Sequence, residues 1–306
     1  MPAAKILVAY DGSVSAKAAL ADLKRAGLGI WVEAKVLAVA DLWFPPAESF
    51  ASTGEGWYSA AFANSQTASS DALDSAQKLA DKAAAQLRRD FPEWKVTAMA
   101  DVNAPAHGIL AAMEKWNPDL VLLGSRGHGL LGRILLGSVS HKVLAHASCN
   151  VRIARPVSAQ SRKAAPRILL AVDGSKDSAA AVACVAGRNW ERNARFHVIV
   201  VNDYRLSLAQ AFQKPPRKSR VKQPQSLSEK LAERALFALA ERGLRVTYSV
   251  REGDPRLEIV REAKRFRANA VFLGSRGLGA MQRFFLGSVS LAVAETAPCA
   301  VEVVRG

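Results

Sequence analysis

Two kinds of apolar spacing alternate along this chain. Short apolar runs end in glycine, aspartate or a turn residue, and between them lie longer stretches with apolar residues three and four apart. The runs predict strands and the stretches predict helices. Residues 5–10 predict a central strand, which Asp11-Gly12-Ser13 turns into a helix over about 14–27. Further strands are predicted at 36–40, 95–101, 120–123 and 150–154, with an Ala- and Leu-rich helix over about 69–89. Pro105 suits the start of the next helix, where its missing N–H costs little. Residues 41–65 hold Pro45-Pro46, Gly54, Gly56 and the aromatics Trp43, Phe44, Trp57, Tyr58 and Phe62. They predict a long loop, either a lid or a flap packed on its own domain.

The order then starts again. Residues 156–166 read as a linker. Strands follow at 167–172, 198–201, 246–250, 270–273 and 300–304. Ser226 and Glu229 form a capping-box start for a helix to about residue 242, and Asp254 before Pro255 suits an N-cap. Two domains are therefore expected, 1–156 and 157–306. Asp11 and Asp173 lie 162 residues apart, whereas Gly124 and Gly274 lie 150 apart. The first half thus carries about 12 extra residues after its second strand. Strands alternating with helices predict an α/β fold: two tandem, doubly wound, five-stranded parallel sheets of Rossmann-like type. Ligands bind such sheets beyond the carboxyl ends of the strands, where the strand order reverses.

One stretch occurs twice. Residues 124–140 and 274–290 agree at 11 of 17 positions, and both end in Leu-Gly-Ser-Val-Ser. Each copy follows a fully apolar run and precedes a helical stretch starting at Ser138 or Ser288. A glycine loop between strand end and helix start offers free amides and the positive end of the helix dipole to an anion. Gly124, Gly127 and Gly137 would let a phosphate chain lie on bare backbone. Ser138 and Ser140 would add hydroxyl donors, and Arg126 and Arg276 positive charge.

Gly, two residues, Gly, nine residues, Gly-Ser is the nucleotide loop of the universal stress protein family, which this chain resembles over nearly its whole length. Gly124, Gly127, Gly137 and Ser138 match it, as do Gly274, Gly277, Gly287 and Ser288. The resemblance implies a tandem member that binds ATP or a related adenine nucleotide in a stress response. It implies that Asp11 and Asp173 lie near base and ribose and that the backbones of Val39 and Val201 touch adenine. The phosphates would lie on the loops and on Ser138-Val139-Ser140 and Ser288-Val289-Ser290. Bound Mg²⁺ would offset phosphate charge. On the residues alone, Asp11 is equally a turn or N-cap residue. The first half departs from the family at Asn103-Ala104-Pro105, where the second has Gly253-Asp254-Pro255. Asn tolerates left-handed backbone, so the turn can survive, but the second site is expected to be the better formed.

Charge and cysteine content add little. The 306 residues carry a net charge of +15, almost all of it beyond residue 156. That excess attracts anions of any class, but no nucleic-acid recognition motif accompanies it. The basic residues of 214–222 suit a solvated loop. Cys149, Cys184 and Cys299 form no CxxC pair, and burial is the simplest reading of them. His107, His128, His141 and His146 show no metal-ligand spacing, and no metal site is expected. There is no run long enough to span a membrane and no leader pattern before residues 6–9, so a cytoplasmic protein is expected. Neither a Walker lysine nor a placed general base is visible, so binding rather than turnover is expected. The alternative is an interaction scaffold: the halves would pair through their last strands as an intramolecular pseudo-dimer, with a protein partner or further homo-oligomerisation.

Overall fold

The computed structural model describes residues 3–41, 55–125, 136–156, 164–203, 226–277 and 286–306, with backbone only over 55–68. The first half runs β1 (Ala4–Ala9), α1 (Val14–Asp22), β2 (Val32–Ala40), α2 (Glu55–Asp90), β3 (Lys95–Val102), α3 (Pro105–Trp116), β4 (Leu120–Gly124), α4 (Ser138–His146) and β5 (Asn150–Ala154). The second runs β6 (Arg167–Ala171), α5 (Lys176–Ala186), β7 (Arg195–Asn202), α6 (Leu227–Ala240), β8 (Arg245–Glu252), α7 (Pro255–Arg265), β9 (Ala270–Gly274), α8 (Ser288–Thr296) and β10 (Ala300–Val304).

Among the described residues the ten strands lie in one sheet, in the order β3-β2-β1-β4-β5-β10-β9-β6-β7-β8. Pairing is parallel within each half, and β5 meets β10 antiparallel. The apolar runs explain the order. In β4, Leu120 to Leu123 are buried, as is every residue of β9, which suits strands covered on both faces. On one face a continuous core spans both halves under α3, α4, α7 and α8. On the other face each half keeps its own core, under α1 and α2 or under α5 and α6.

One expectation needs correction. The helix expected from about residue 69 begins at Glu55, so most of the expected 41–65 loop after residue 54 is helical, and 42–54 lies outside the described residues. Residues 55–70 include Ala60, Ala61, Ala63 and Ala68, good helix formers that outweigh the single Gly56. The insertion is also divided. Leu79 of α2 faces Gly12, as Leu231 of α6 faces Gly174, so these leucines correspond at an offset of 152. Val39 and Val201 correspond at 162, and Lys95 and Arg245 at 150. Ten of the extra residues therefore precede Leu79, and two lie between Leu79 and the end of α2. Among the described residues no helix is long and apolar enough to cross a membrane.

The cysteines are free thiols, Cys299 buried and the other two half-buried. Burial pushes the thiols of Cys149 and Cys184 up to about 11 and that of Cys299 to about 12. Thiolate is the reactive form. Alkylation of the native protein at pH 8 is therefore expected to lag at least tenfold behind the urea-unfolded chain, with Cys299 slowest, followed by mass spectrometry of each thiol.

Candidate functional site

The site begins where β1 ends. Asp11 Oδ1 accepts from Ser13 N at 3.0 Å, Gly12 takes φ +77°, and Ser13 Oγ caps Ala16 N at 3.1 Å. The second half repeats this: Asp173 Oδ1 accepts from Ser175 N at 2.9 Å, Gly174 has φ +85°, and Ser175 Oγ caps Ser178 N at 3.1 Å. The N-caps are thus serines, and each aspartate is a turn residue with one oxygen engaged by the turn. Pairing of β1 with both β2 and β4 brings this turn beside the glycine loop.

A cavity of about 760 Å³ opens at these strand ends in the first half. Asp11 and Val39 line one part of it, and Gly124, Gly137, Ser138, Val139 and Ser140 another. Sequence reasoning missed its third wall, the face of α2 with Ala72, Ser75, Ala76 and Leu79. Nothing in local sequence announces that face; it follows from how α2 lies over Gly12. Tyr10 also lines the cavity, and burial, with the Asp11 charge, raises its phenol above the usual value. Arg126, Gly127 and His128 lie outside the described residues.

Helix α4 starts at Gly137, which supplies no side-chain cap, and α8 starts the same way at Gly287. In contrast, α1, α5, α6 and α7 are capped by Ser13, Ser175, Ser226 and Asp254. An uncapped first turn keeps backbone donors and the positive dipole end available to an anion. Ser138 and Ser288 are exposed there, while Val139 and Val289 are half-buried.

Two expected donors are otherwise engaged. Ser140 Oγ donates to Gly124 O at 2.7 Å, and Ser290 Oγ to Gly274 O at 2.6 Å. Each hydroxyl has one proton, so these serines fix the helix start instead of reaching outward. The bareness of Gly124 also has another cause. A Cβ there would lie 2.7 Å from the Ser15 carbonyl carbon and 2.9 Å from Ala16 N; at Gly274 it would meet Asp177 and Ser178 backbone at 2.7 Å. The end of β4 touches the start of α1, and the end of β9 the start of α5, so only glycine fits.

In the second half, Gly277 lies against Asp173, where a Cβ would come 2.8 Å from Oδ2, and Gly287 N donates to Ser275 O at 2.8 Å. Val201 is the penultimate residue of β7, as Val39 is of β2. Arg276 does not reach freely toward a loop ligand: its Nε and Nη2 meet Asp177 at 2.9 and 3.2 Å, while Ser275 Oγ donates to the same carboxylate at 2.6 Å. Burial opposes ionisation of Asp177, but hydrogen bonds from Arg276 and Ser275 outweigh it and hold the carboxyl below its usual value. The equivalent residue in the first half, 162 positions earlier, is Ser15, so this tether belongs to one half. The first-half turn at Asn103 also forms without a left-handed asparagine, since Asn103 is not among the residues of positive φ, while Gly253 has φ +144°. The cavity described above lies in the first half.

A sequence model described as the Universal stress protein family matches residues 3–155 and again 165–305. The chain belongs to the universal stress protein family. A universal stress protein of Mycolicibacterium smegmatis is 32% identical over 193 residues, covering 61% of this chain and 62% of that protein. One of Mycobacterium tuberculosis is 33% identical over 192 residues, with the same shares. The matches thus span about three-fifths of these relatives. The crystal structure of a universal stress protein from Archaeoglobus fulgidus superimposes with a TM-score of 0.65 at 22% identity, over 98% of both chains. At that identity the likeness establishes the tandem universal stress protein fold.

Two outcomes follow from this geometry. Gly124→Ala and Gly274→Ala should each destabilise by about 1–3 kcal/mol in urea unfolding through overpacking, while Gly29→Ala, with open space around it, should be neutral. Asp177 has a depressed folded pKa, so its contribution is present above the unfolded value of about 3.9 and is lost as pH falls through the folded value. The stability gap between wild type and Asp177→Asn should therefore persist near pH 6 and shrink below about pH 4.

Proposed function

We propose that this universal stress protein binds an adenine nucleotide, ATP or a close relative, in the first-half cavity. One observation carries the reading: a cavity of about 760 Å³ at the strand ends has an uncapped helix start in its wall. That volume is within the roughly 300–1,000 Å³ of small-molecule sites. The phosphates would lie on the first turn of α4 near Ser138 and Val139. The base and ribose would lie between Asp11, Val39 and the small-residue face of α2. The glycine spacing shared with the family supports the same assignment. In the second half, Asp173, Val201, Gly277 and Ser288 would form the corresponding site, with Arg276 drawn to Asp177.

Among the described residues no group of three His, Cys, Asp or Glu could hold a metal. Mg²⁺ would therefore arrive with the nucleotide and keep phosphate oxygens and water as its main ligands. The function proposed is binding rather than turnover: occupancy alters contacts with partners in a stress response.

Ser138→Glu tests the assignment. A carboxylate at the first helical position favours the helix by about 0.3–1 kcal/mol, yet it would repel phosphate. Titration calorimetry should show ATP affinity falling at least tenfold, about 1.4 kcal/mol, with thermal stability in the absence of nucleotide unchanged or raised. No ATP-induced thermal shift in wild type, and no nucleotide released on denaturation, would overturn the proposal and favour a scaffold role.

A further inference from the structure

The pairing of the last strands of the two halves follows a local twofold axis. In the antiparallel register, Val301 faces Ile153, Val303 faces Val151, and Glu302 faces Arg152. Positions 152 and 302 are the same position of the repeat, 150 residues apart, so the local twofold axis passes between them. Flanking contacts obey that axis. Arg155 donates to Ala294 O on α8, and Arg305, its equivalent, donates to Leu144 O on α4. Positions 144 and 294 again differ by 150.

At the axis itself the symmetry is broken. Where a twofold junction would place a residue against its own copy, this one places arginine against glutamate. Arg152 and Glu302 are both 0% exposed, and Arg152 Nη1 donates to Glu302 Oε2 at 2.9 Å. Asp22 accepts from Arg152 Nε at 2.6 Å, and Arg188 donates to both oxygens of Glu302. Asp22 and Arg152 belong to the first half, Glu302 and Arg188 to the second. Each half therefore balances its own charge, and neither is barred from folding. What only the unlike pairing supplies is the bond across the axis.

We propose that Arg152 and Glu302 form a pairing code that makes the β5 edge select a β10 edge and reject a second β5. The partner this surface fits is the other half of the same chain. Pairing two first halves in this register would set two desolvated guanidinium groups opposite each other; pairing two second halves would set two carboxylates together. Like charges directly opposed across strands are destabilising, and a pair of like halves would also forgo the bond across the axis. β5 and β10 are otherwise similar apolar strands, so this position is what tells one strand of the pair from the other. The code keeps each chain closed on itself instead of joined to its neighbours through like halves.

The test uses the full chain with a specific protease site placed in the 157–163 linker. After cleavage, the sample is diluted and reconcentrated so that halves exchange, and native mass spectrometry counts the pairs. Unlike pairs should exceed like pairs at least tenfold, with circular dichroism showing both halves folded throughout. A statistical 1:2:1 distribution would overturn the proposal. In Glu302→Gln the excess should fall severalfold, with pairs of second halves appearing. Should that variant fail to fold, Arg152→Gln/Glu302→Gln asks the same question, because it keeps the network's net charge at zero. Arg305→Ala removes a symmetric contact, so it should speed dissociation without letting like pairs appear. An undiminished excess in the glutamine variants would also overturn the code.

Discussion

A close approach between backbones governs the site. The end of β4 touches the start of α1, and that contact leaves no room for a side chain at position 124. Gly124 then presents its carbonyl to Ser140, which ties the first turn of α4 to the strand end. The tie leaves the beginning of α4 in the cavity wall, uncapped and next to the Asp11 turn. The same sequence of contacts links Gly274, Ser290 and α8 in the second half. Anion affinity at such a place depends on backbone geometry, so it is set by packing and not by a reactive side chain.

Duplication gave the halves one scaffold, and small differences made them unequal. Asp177 stands where the first half has Ser15, and it engages both Arg276 and Ser275. Helix α2 has 36 residues and α6 has 14, so the first cavity gains a wall that reaches further along the chain. A buried cluster without a first-half counterpart lies under α7: His197 meets the hydroxyls of Thr247 and Ser249 at 2.8 and 2.9 Å and lies 3.4 Å from Glu262. Burial lowers the His197 pKa, so it serves as a neutral, fully satisfied core histidine.

The junction shows how a sheet edge is made safe. β5 and β10 each end a five-stranded half, and pairing them buries both edges in one sheet. A buried ion network is a poor source of net stability, because desolvation consumes most of the attraction. Arg152, Glu302, Asp22 and Arg188 are better understood as fixing which edges meet and in what register. Trp190 supports the same interface: its ring covers Gly27 of the first half, and Asn189 N donates to Gly27 O at 2.8 Å.

Sequence alone determined the repeat, the alternation of strands with helices and the turn aspartates, because each depends on neighbours a few residues apart. The capping box at Ser226 and the cap at Asp254 were legible for the same reason. The start of α2 was not, since proline, glycine and aromatic content argued for a loop while alanine content decided for a helix. Local pattern was equally silent on the α2 wall of the cavity, the diversion of Arg276 to Asp177 and the meeting of Arg152 with Glu302. Those contacts join residues about 60 to 150 positions apart, and only the folded sheet brings them within hydrogen-bonding or packing distance.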